Sequence, residues 1–321
     1  MTFATVCSGI EAPTVAWPHW ESLFFSEINP FCRALLSSRY PNTPNLGDML
    51  NHESWPTYTD IDVFGGGTPC QPFSLAGLRK GLSDPRGNLT LCFLSIIARH
   101  RPRWIWWENV PGILSDKSNA FGHLLCGLAE LGYGFAYRTF DAQYFGLAQL
   151  RQRVFVVGHS SGSHIRSAAV LFERESLLWH SPPSRKEGQG IARSLTASTG
   201  GCSAKEQQYT FVSEDNTPLN PLNYRMTAFG EYADDDKASA MKARDHKDAT
   251  DLVLCFHSKS GVRRLTPLEC ERLQGFPDDY TLVPYRGKPA TDAPRYRALG
   301  NSIAVPVLSW IGRRIQLVDD L

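Results

Sequence analysis

With 321 residues, 42% of them hydrophobic and 20% charged, the chain has room for one large domain plus a smaller one and the make-up of an ordinary globular protein. A formal net charge of +1 excludes recruitment to nucleic acid or membrane by bulk charge, so a nucleic-acid surface would have to concentrate its basic groups locally. No apolar run spans a bilayer, and the N-terminus lacks the basic-then-apolar pattern of a secretory signal. The eight cysteines are scattered, with no CxxC pair, which favours thiols in a reducing cytoplasm over disulfides. Cys255 and His257 lack the further ligands a zinc site needs, so no metal is expected.

The first half alternates. Residues 3–7 and 23–26 read as strands, the second ending at Glu27, and 31–40 as a helix stopped before Pro41. A third strand at 61–64 runs into Gly65-Gly66-Gly67-Thr68-Pro69-Cys70-Gln71-Pro72-Phe73-Ser74. A helix at 89–100 precedes a fourth strand at 104–107, which ends in Glu108-Asn109-Val110. A helix at 121–131, closed by Gly132, and strands at 135–140 and 154–157 complete the set. This order predicts an α/β fold with a mostly parallel sheet. Ligands of such folds sit beyond the strand carboxyl ends, where the turns after Cys7, Phe25, Phe64 and Trp107 would gather. A cysteine in a glycine- and proline-bounded loop at a strand end is placed as a nucleophile, and Glu108 at a neighbouring strand end as a proton-donating carboxyl.

From 160 to 255 the chain is rich in Ser, Thr, Gly, Asp and Lys, with short β-prone pieces at 209–212 and 252–254, and reads as a smaller irregular domain. Its charge clusters, such as Arg185-Lys186 and Asp234-Asp235-Asp236, read singly as solvated faces. Thr266, Pro267 and Glu269 form a helix start with a capping box. A last helix at 303–318, with Val307, Leu308, Ile311 and Ile315 on one face, is expected to return to the first domain. The expected division is 1–160 with 297–321 as one domain and 161–296 as the other.

Taken in order, these loops resemble the motif series of DNA (cytosine-5) methyltransferases. Thr68-Pro69-Cys70-Gln71 matches the family's catalytic loop, Glu108-Asn109-Val110 its ENV tripeptide and Gln149-Leu150-Arg151-Gln152-Arg153 its QxRxR motif. The block from Arg264 to Pro277 resembles the ninth motif, and Gly300-Asn301-Ser302 the last. The first loop, Val6-Cys7-Ser8-Gly9-Ile10-Glu11, departs from the usual FxGxGG: Glu11-Ala12 stand where the family has two glycines.

The resemblance implies a Rossmann-like methyltransferase domain, using S-adenosylmethionine, with a smaller irregular target-recognition domain. It places Ser8, Gly9 and Ile10 in the first cofactor loop, Glu27 at the ribose, Ile28 against adenine and Asp48 at the adenine amino group. Met49, Pro69, Leu89, Asn301 and Ser302 join the cofactor set. Cys70 and Glu108 become catalytic, with Arg153 at the cytosine oxygen and supporting Glu108, and Arg151 as a phosphate or loop anchor. Thr68, Gln71, Ser74, Arg79 and Lys80 fall on the substrate side.

The chemistry explains these residue types. Carbon 5 of cytosine is a poor nucleophile until a thiolate adds to carbon 6, and an acid at ring nitrogen 3 stabilises the charge that builds there. A stacked base cannot be reached, so the target must be swung out of the duplex, and the loop at 75–82, with Gly77 and Gly81, is expected to close over it. The expected partner is duplex DNA, the expected state a monomer in the cytoplasm of a bacterial or phage-infected cell, with a companion restriction endonuclease possible in principle. Arg193, Arg225, Lys242 and Arg244 are expected near DNA. Two other readings stand beside this one: an RNA cytosine methyltransferase with the same motifs, and a catalytically silent DNA-binding protein.

Overall fold

The computed structural model describes residues 1–69, 89–172 and 265–321, and the backbone of strands at 191–196, 224–228, 231–234, 237–242, 253–254 and 262–263. Cys70, Gln71, Ser74, Arg79, Lys80 and Arg244, the loop at 75–82 and the piece at 209–212 lie outside the described residues. Packing divides the chain into two compact units. One holds Met1–Phe140, Arg153–Ser181 and Ser309–Leu321, the other Asp141–Gln152 and Pro182–Leu308. These bounds differ from the expected domain bounds at 160/161 and 296/297.

The first unit is built on a six-stranded sheet. Strands β1 (Thr2–Thr5), β2 (Glu21–Phe24), β3 (Val63–Gly66) and β4 (Trp104–Asn109) run parallel, with β1 between β2 and β3, and β3 beside β4. After β5 (Gly134–Asp141) and the short β6 (Gln149–Leu150), β7 (Gln152–His159) pairs antiparallel with β4 and separates it from β5. The chain steps from β1 to one neighbour and then crosses back to β3 on its other side. Such a reversal opens a crevice at the strand carboxyl ends.

Both faces of this sheet are covered, so its central strands are apolar throughout rather than alternating. The period of two sends Ile105 and Trp107 of β4 into one core, with Phe64, Val154 and Val156 and with helices α3 (Leu89–His100) and α4 (Ala120–Glu130). Trp106 faces the other way and meets Trp17 edge-on, their ring centroids 6.2 Å apart. Trp17 follows the short helix α1 (Ala12–Ala16). Helix α2 (Pro30–Arg39) is capped by Asn29, whose side chain accepts from the Phe31 and Cys32 amides. A further helix, α5 (His164–Leu171), capped by Ser163, falls where the sequence pattern loses its period.

In the second unit, helix α6 (Pro267–Gln274) starts in the expected capping box. It is followed by α7 (Asp292–Asn301), whose Arg295 pairs with the fully buried Glu271 at 3.1 Å. Strand β8 (Ile191–Thr196) carries Arg193. Strand β9 (Tyr224–Ala228), paired with β10 (Glu231–Asp234), carries Arg225, and β11 (Lys237–Lys242), paired with β8, ends at Lys242. The last helix, α8 (Val305–Asp319), begins in the second unit, and its part from Ser309 belongs to the first. There Trp310 packs on Phe140 at 5.2 Å, so the expected return of this helix is observed.

Strand β3 ends in glycines because its neighbours leave no room. A Cβ on Gly66 would lie 2.0 Å from the Val6 carbonyl oxygen. Gly66→Ala is therefore expected to destabilise the first unit by at least about 1–3 kcal/mol, the usual range for overpacking. Urea unfolding measures it, and a variant as stable as the parent would contradict this packing.

Candidate active site

Four loops at the carboxyl ends of β1 to β4 make the candidate site. After β1 the backbone enters the left-handed region at Cys7 (φ 49°), Gly9 (φ 57°) and Glu11 (φ 60°). This tight path turns the Gly9 amide toward Glu27, whose Oε2 accepts from it at 2.7 Å. The other oxygen, Oε1, accepts from the amides of Ile28 at 2.8 Å and Asn29 at 2.7 Å. Glu27 is thus a carboxylate held by three backbone donors. Ile28 beside it is 62% exposed, an apolar side chain presented to solvent at a strand end. Asn45 fastens the next segment by accepting from the Glu27 and Gly47 amides, both at 3.0 Å. Asp48 caps the turn at Met49–Ser54, accepting from the Leu50 amide at 3.0 Å.

The field in this corner is negative. The Cys7 thiol is pushed up to about 12, first by burial and then by the carboxylates of Glu27 and Asp48. A ligand with a positive centre, an aromatic face and hydroxyl groups suits such a place: the carboxylates attract the charge, Ile28 offers an apolar surface and Glu27 an acceptor. S-adenosylmethionine has these three features. Other expected cofactor residues are placed differently. Ile10 and Met49 are buried in the interior. Ser8 accepts from the Ser26 amide at 3.0 Å and so ties β1 to β2. Leu89 packs against the core, and the Pro69 carbonyl accepts from the Thr90 hydroxyl at 3.5 Å. In the second unit, Asn301 ends α7 in an exposed position and Ser302 is buried.

The ends of β3 and β4 carry the second half of the site. Glu108 and Arg153 form an ion pair, Oε1 to Nε 3.0 Å, with both side chains about nine-tenths buried (11% exposed each). Burial pulls the Arg153 guanidinium down and the Glu108 charge opposes this. A Cβ on Gly67 would lie 2.8 Å from Glu108 Oε2, so the backbone just ahead of Cys70 runs against this carboxyl. Thr68 is fully buried: its hydroxyl accepts from Trp107 Nε1 at 2.8 Å, and its carbonyl accepts from Asn109 Nδ2 at 3.1 Å. Asn109 therefore carries out a fixed task in the ENV tripeptide, holding the entry of the Cys70 loop. Arg151 lies in the second unit, buried, with its guanidinium donating to the carbonyls of Gly300 and Ser302 and its amide to Asp141. Those are the contacts of a loop anchor.

Sequence reasoning passed over Gly67 as a spacer, Asn45 as a clamp and Glu11 as a buried acid. The last left a signal, since it stands where two glycines are usual.

A parallel sheet with an antiparallel strand beside β4, and acids at the ends of β2 and β4, defines the class: a methyltransferase of Rossmann-like fold. The family model of C-5 cytosine-specific DNA methylases matches residues 1–317, and the chain belongs to that family. It is 34% identical to a protein of Escherichia phage P1 named DNA N-6-adenine-methyltransferase, over 98% of this chain and 61% of that one. The chain thus spans less than two thirds of that relative. It is 29% identical to the type II methyltransferase M1.ScrFI of Lactococcus lactis subsp. cremoris, over 92% of this chain and 72% of that one. The fold is also that of the Dnmt2 methyltransferase of S. pombe, with a TM-score of 0.65 at 18% identity and 100% of both chains covered. At that identity the likeness is one of fold alone. The family implies a DNA substrate and the use of S-adenosylmethionine.

Removing one partner of a buried pair leaves the other charge uncompensated. Arg153→Leu is expected to cost about 3–5 kcal/mol of stability, and much less when combined with Glu108→Gln. A double-mutant cycle by urea unfolding reads this; additive effects would contradict the pair.

Proposed function

We propose that this protein transfers a methyl group from S-adenosylmethionine to carbon 5 of cytosine in a specific duplex DNA sequence. The observation that carries the reading is the Glu108–Arg153 pair, set against Gly67 at the entry of the Cys70 loop, in a chain of this family. S-adenosylmethionine supplies an electrophilic methyl group. Glu27 holds its ribose, Ile28 packs on its adenine, and Asp48 and the Gly9 loop complete the cradle.

Cys70 adds as a thiolate to carbon 6 of the extruded cytosine. The sulfur–carbon bond forms as the ring electrons move toward nitrogen 3, where Glu108, which takes up a proton from solvent as the base enters, donates it. Arg153 engages Oε1, so we assign the donor to Oε2, the oxygen turned toward Gly67. Arg153 also contacts the cytosine oxygen, and the Thr68 carbonyl its amino group. Carbon 5, now an enamine carbon, takes the methyl group. A base, water or a side chain, removes the carbon 5 proton, nitrogen 3 returns its proton to Glu108, and the thiolate leaves as the ring double bond is restored. Gln71, Ser74, Arg79 and Lys80 hold the substrate, and the loop at 75–82 closes over the flipped base, whose unstacking costs a few kcal/mol. Arg151 is a positioning residue for the Gly300–Ser302 turn. The portion at 161–296 reads the target sequence, with Arg193, Arg225, Lys242 and Arg244 near DNA. The protein works as a cytoplasmic monomer in a bacterial or phage-infected cell, and a modification role beside a restriction endonuclease fits the type II name of M1.ScrFI.

A second reading comes from the name of the phage P1 relative, which puts the methyl group on adenine N6. An exocyclic amine already carries a lone pair and needs no covalent thiol to activate it. Cys70 and its glycine-bounded loop have no task in that chemistry, so the cytosine reading is preferred.

Nucleoside mass spectrometry of DNA from expressing cells is expected to show 5-methylcytosine without added N6-methyladenine. Cys70→Ala is expected to abolish the signal, and Glu108→Gln to lower the rate about 10²–10⁴-fold, as for loss of a general acid. N6-methyladenine alone would establish the adenine reading, methylated RNA with unmodified DNA the RNA one.

A further inference from the structure

We propose that Glu11 is a positioning residue for the S-adenosylmethionine site, its carboxyl ending a buried hydroxyl chain that locks the Gly9 loop to the other two cofactor segments. The proposal rests on the functional reading above. The chain is continuous. Glu11 Oε2 lies 2.9 Å from Thr5 Oγ1, which lies 2.8 Å from Ser8 Oγ. Ser8 Oγ accepts from the Ser26 amide at 3.0 Å and reaches the Ser26 carbonyl at 3.3 Å. Ser26 Oγ donates to the Gly47 carbonyl at 2.7 Å. One set of hydrogen bonds therefore joins the loop after β1, the end of β2 and the segment that carries Asp48. On its far side Glu11 accepts from the Thr14 hydroxyl at 3.4 Å, which ties in α1.

Glu11 is fully buried, in a left-handed conformation that glycine would adopt without strain. An acid kept there in place of glycine has a task the backbone alone does not explain. Burial pushes its pKa up to about 8; the hydrogen bonds from Thr5 and Thr14 oppose this, and the like charge of Glu27 adds to it. The acid is therefore neutral at pH 7, and a neutral acid sets the direction of the chain, because each hydroxyl has one proton to give. Glu11 then donates to Thr5 and Thr5 to Ser8, which leaves the Ser8 hydroxyl to the carbonyls of Thr5 at 3.2 Å and Ser26 at 3.3 Å, between the loop after β1 and the end of β2. An ionised Glu11 reverses the order: Thr5 donates to Glu11, Ser8 donates to the Thr5 hydroxyl, and the carbonyls of Thr5 and Ser26 lose the Ser8 hydroxyl. Ionisation also sets a second carboxylate, fully buried, near Glu27. Both effects loosen the loop that presents the Gly9 amide.

The test is calorimetric titration of the full-length protein with S-adenosylmethionine from pH 6.5 to 9.5, for the parent, Glu11→Gln and Glu11→Ala. The parent Kd is expected to weaken above about pH 8, approaching tenfold per pH unit. Glu11→Gln, which can donate along the chain as the neutral acid does, is expected to lack this added dependence. Glu27, Asp48 and Cys7, the other titratable groups facing the loop, and the cofactor's amino group are common to both proteins and cancel in the comparison. Glu11→Ala is expected to bind about tenfold more weakly at pH 7, for one buried hydrogen-bond partner lost. Should it not fold, the comparison of parent with glutamine variant decides alone. Stability gives a second readout. A folded pKa of about 8, against the ordinary 4.5, makes a contribution that is full below about pH 4.5 and lost as pH rises to about 8. The parent should weaken relative to Glu11→Gln across that window. Parallel pH curves for parent and glutamine variant, with cofactor binding intact, would overturn this inference and leave the functional reading standing. A parent that binds no S-adenosylmethionine at any pH would overturn the functional reading itself.

Discussion

The arrangement depends on how closely the end of β3 is held by its neighbours. A Cβ on Gly65 would lie 2.3 Å from the Trp106 carbonyl oxygen, one on Gly66 would strike the Val6 carbonyl, and one on Gly67 would reach the Glu108 carboxyl. Three consecutive residues thus meet β4, β1 and the candidate acid in turn. Because no side chain intervenes, the backbone leading to Cys70 runs directly against Glu108, and the loop after β1 starts from the residue packed on Gly66. The site is compact because a glycine run lets three parallel strands end together.

Around that junction, three carboxyl groups sit in three different settings. Glu27 accepts from three backbone amides and faces a partly open corner, which suits a carboxylate that binds hydroxyl groups. Glu108 is nearly buried and paired with Arg153, which fixes its plane and engages one oxygen. Glu11 is wholly buried among hydroxyl groups and has no cation beside it among the described residues. The same side chain therefore meets three surroundings: backbone amides, a guanidinium and buried hydroxyl groups.

Much of this was legible in the sequence because it is written in local patterns. The four parallel strands follow from short apolar runs ending in turn residues, and the capping box at Thr266 from three residue types at fixed spacing. Glu108 was singled out because loops at strand ends collect function in α/β folds, Glu27 and Arg153 because their motifs resemble those of the family. Long-range packing was not legible. Nothing local says that Ser8 ties two strands together, that Ile10 and Met49 turn inward, or that Arg151 reaches the carbonyls of Gly300 and Ser302 across some 150 residues of chain. Helix α5 was missed because it is short and its capping serine lies in a stretch of polar residues.

The central claim is a transient bond between Cys70 and carbon 6 of an extruded cytosine. It is tested most directly with random-sequence DNA duplexes in which 5-fluorocytosine replaces cytosine, incubated with the full-length protein and S-adenosylmethionine. Fluorine cannot leave as the carbon 5 proton does, so the account predicts a denaturant-resistant protein–DNA adduct that carries the transferred methyl group and maps by peptide mass spectrometry to Cys70. No adduct under saturating cofactor, or an adduct at another residue, would contradict it.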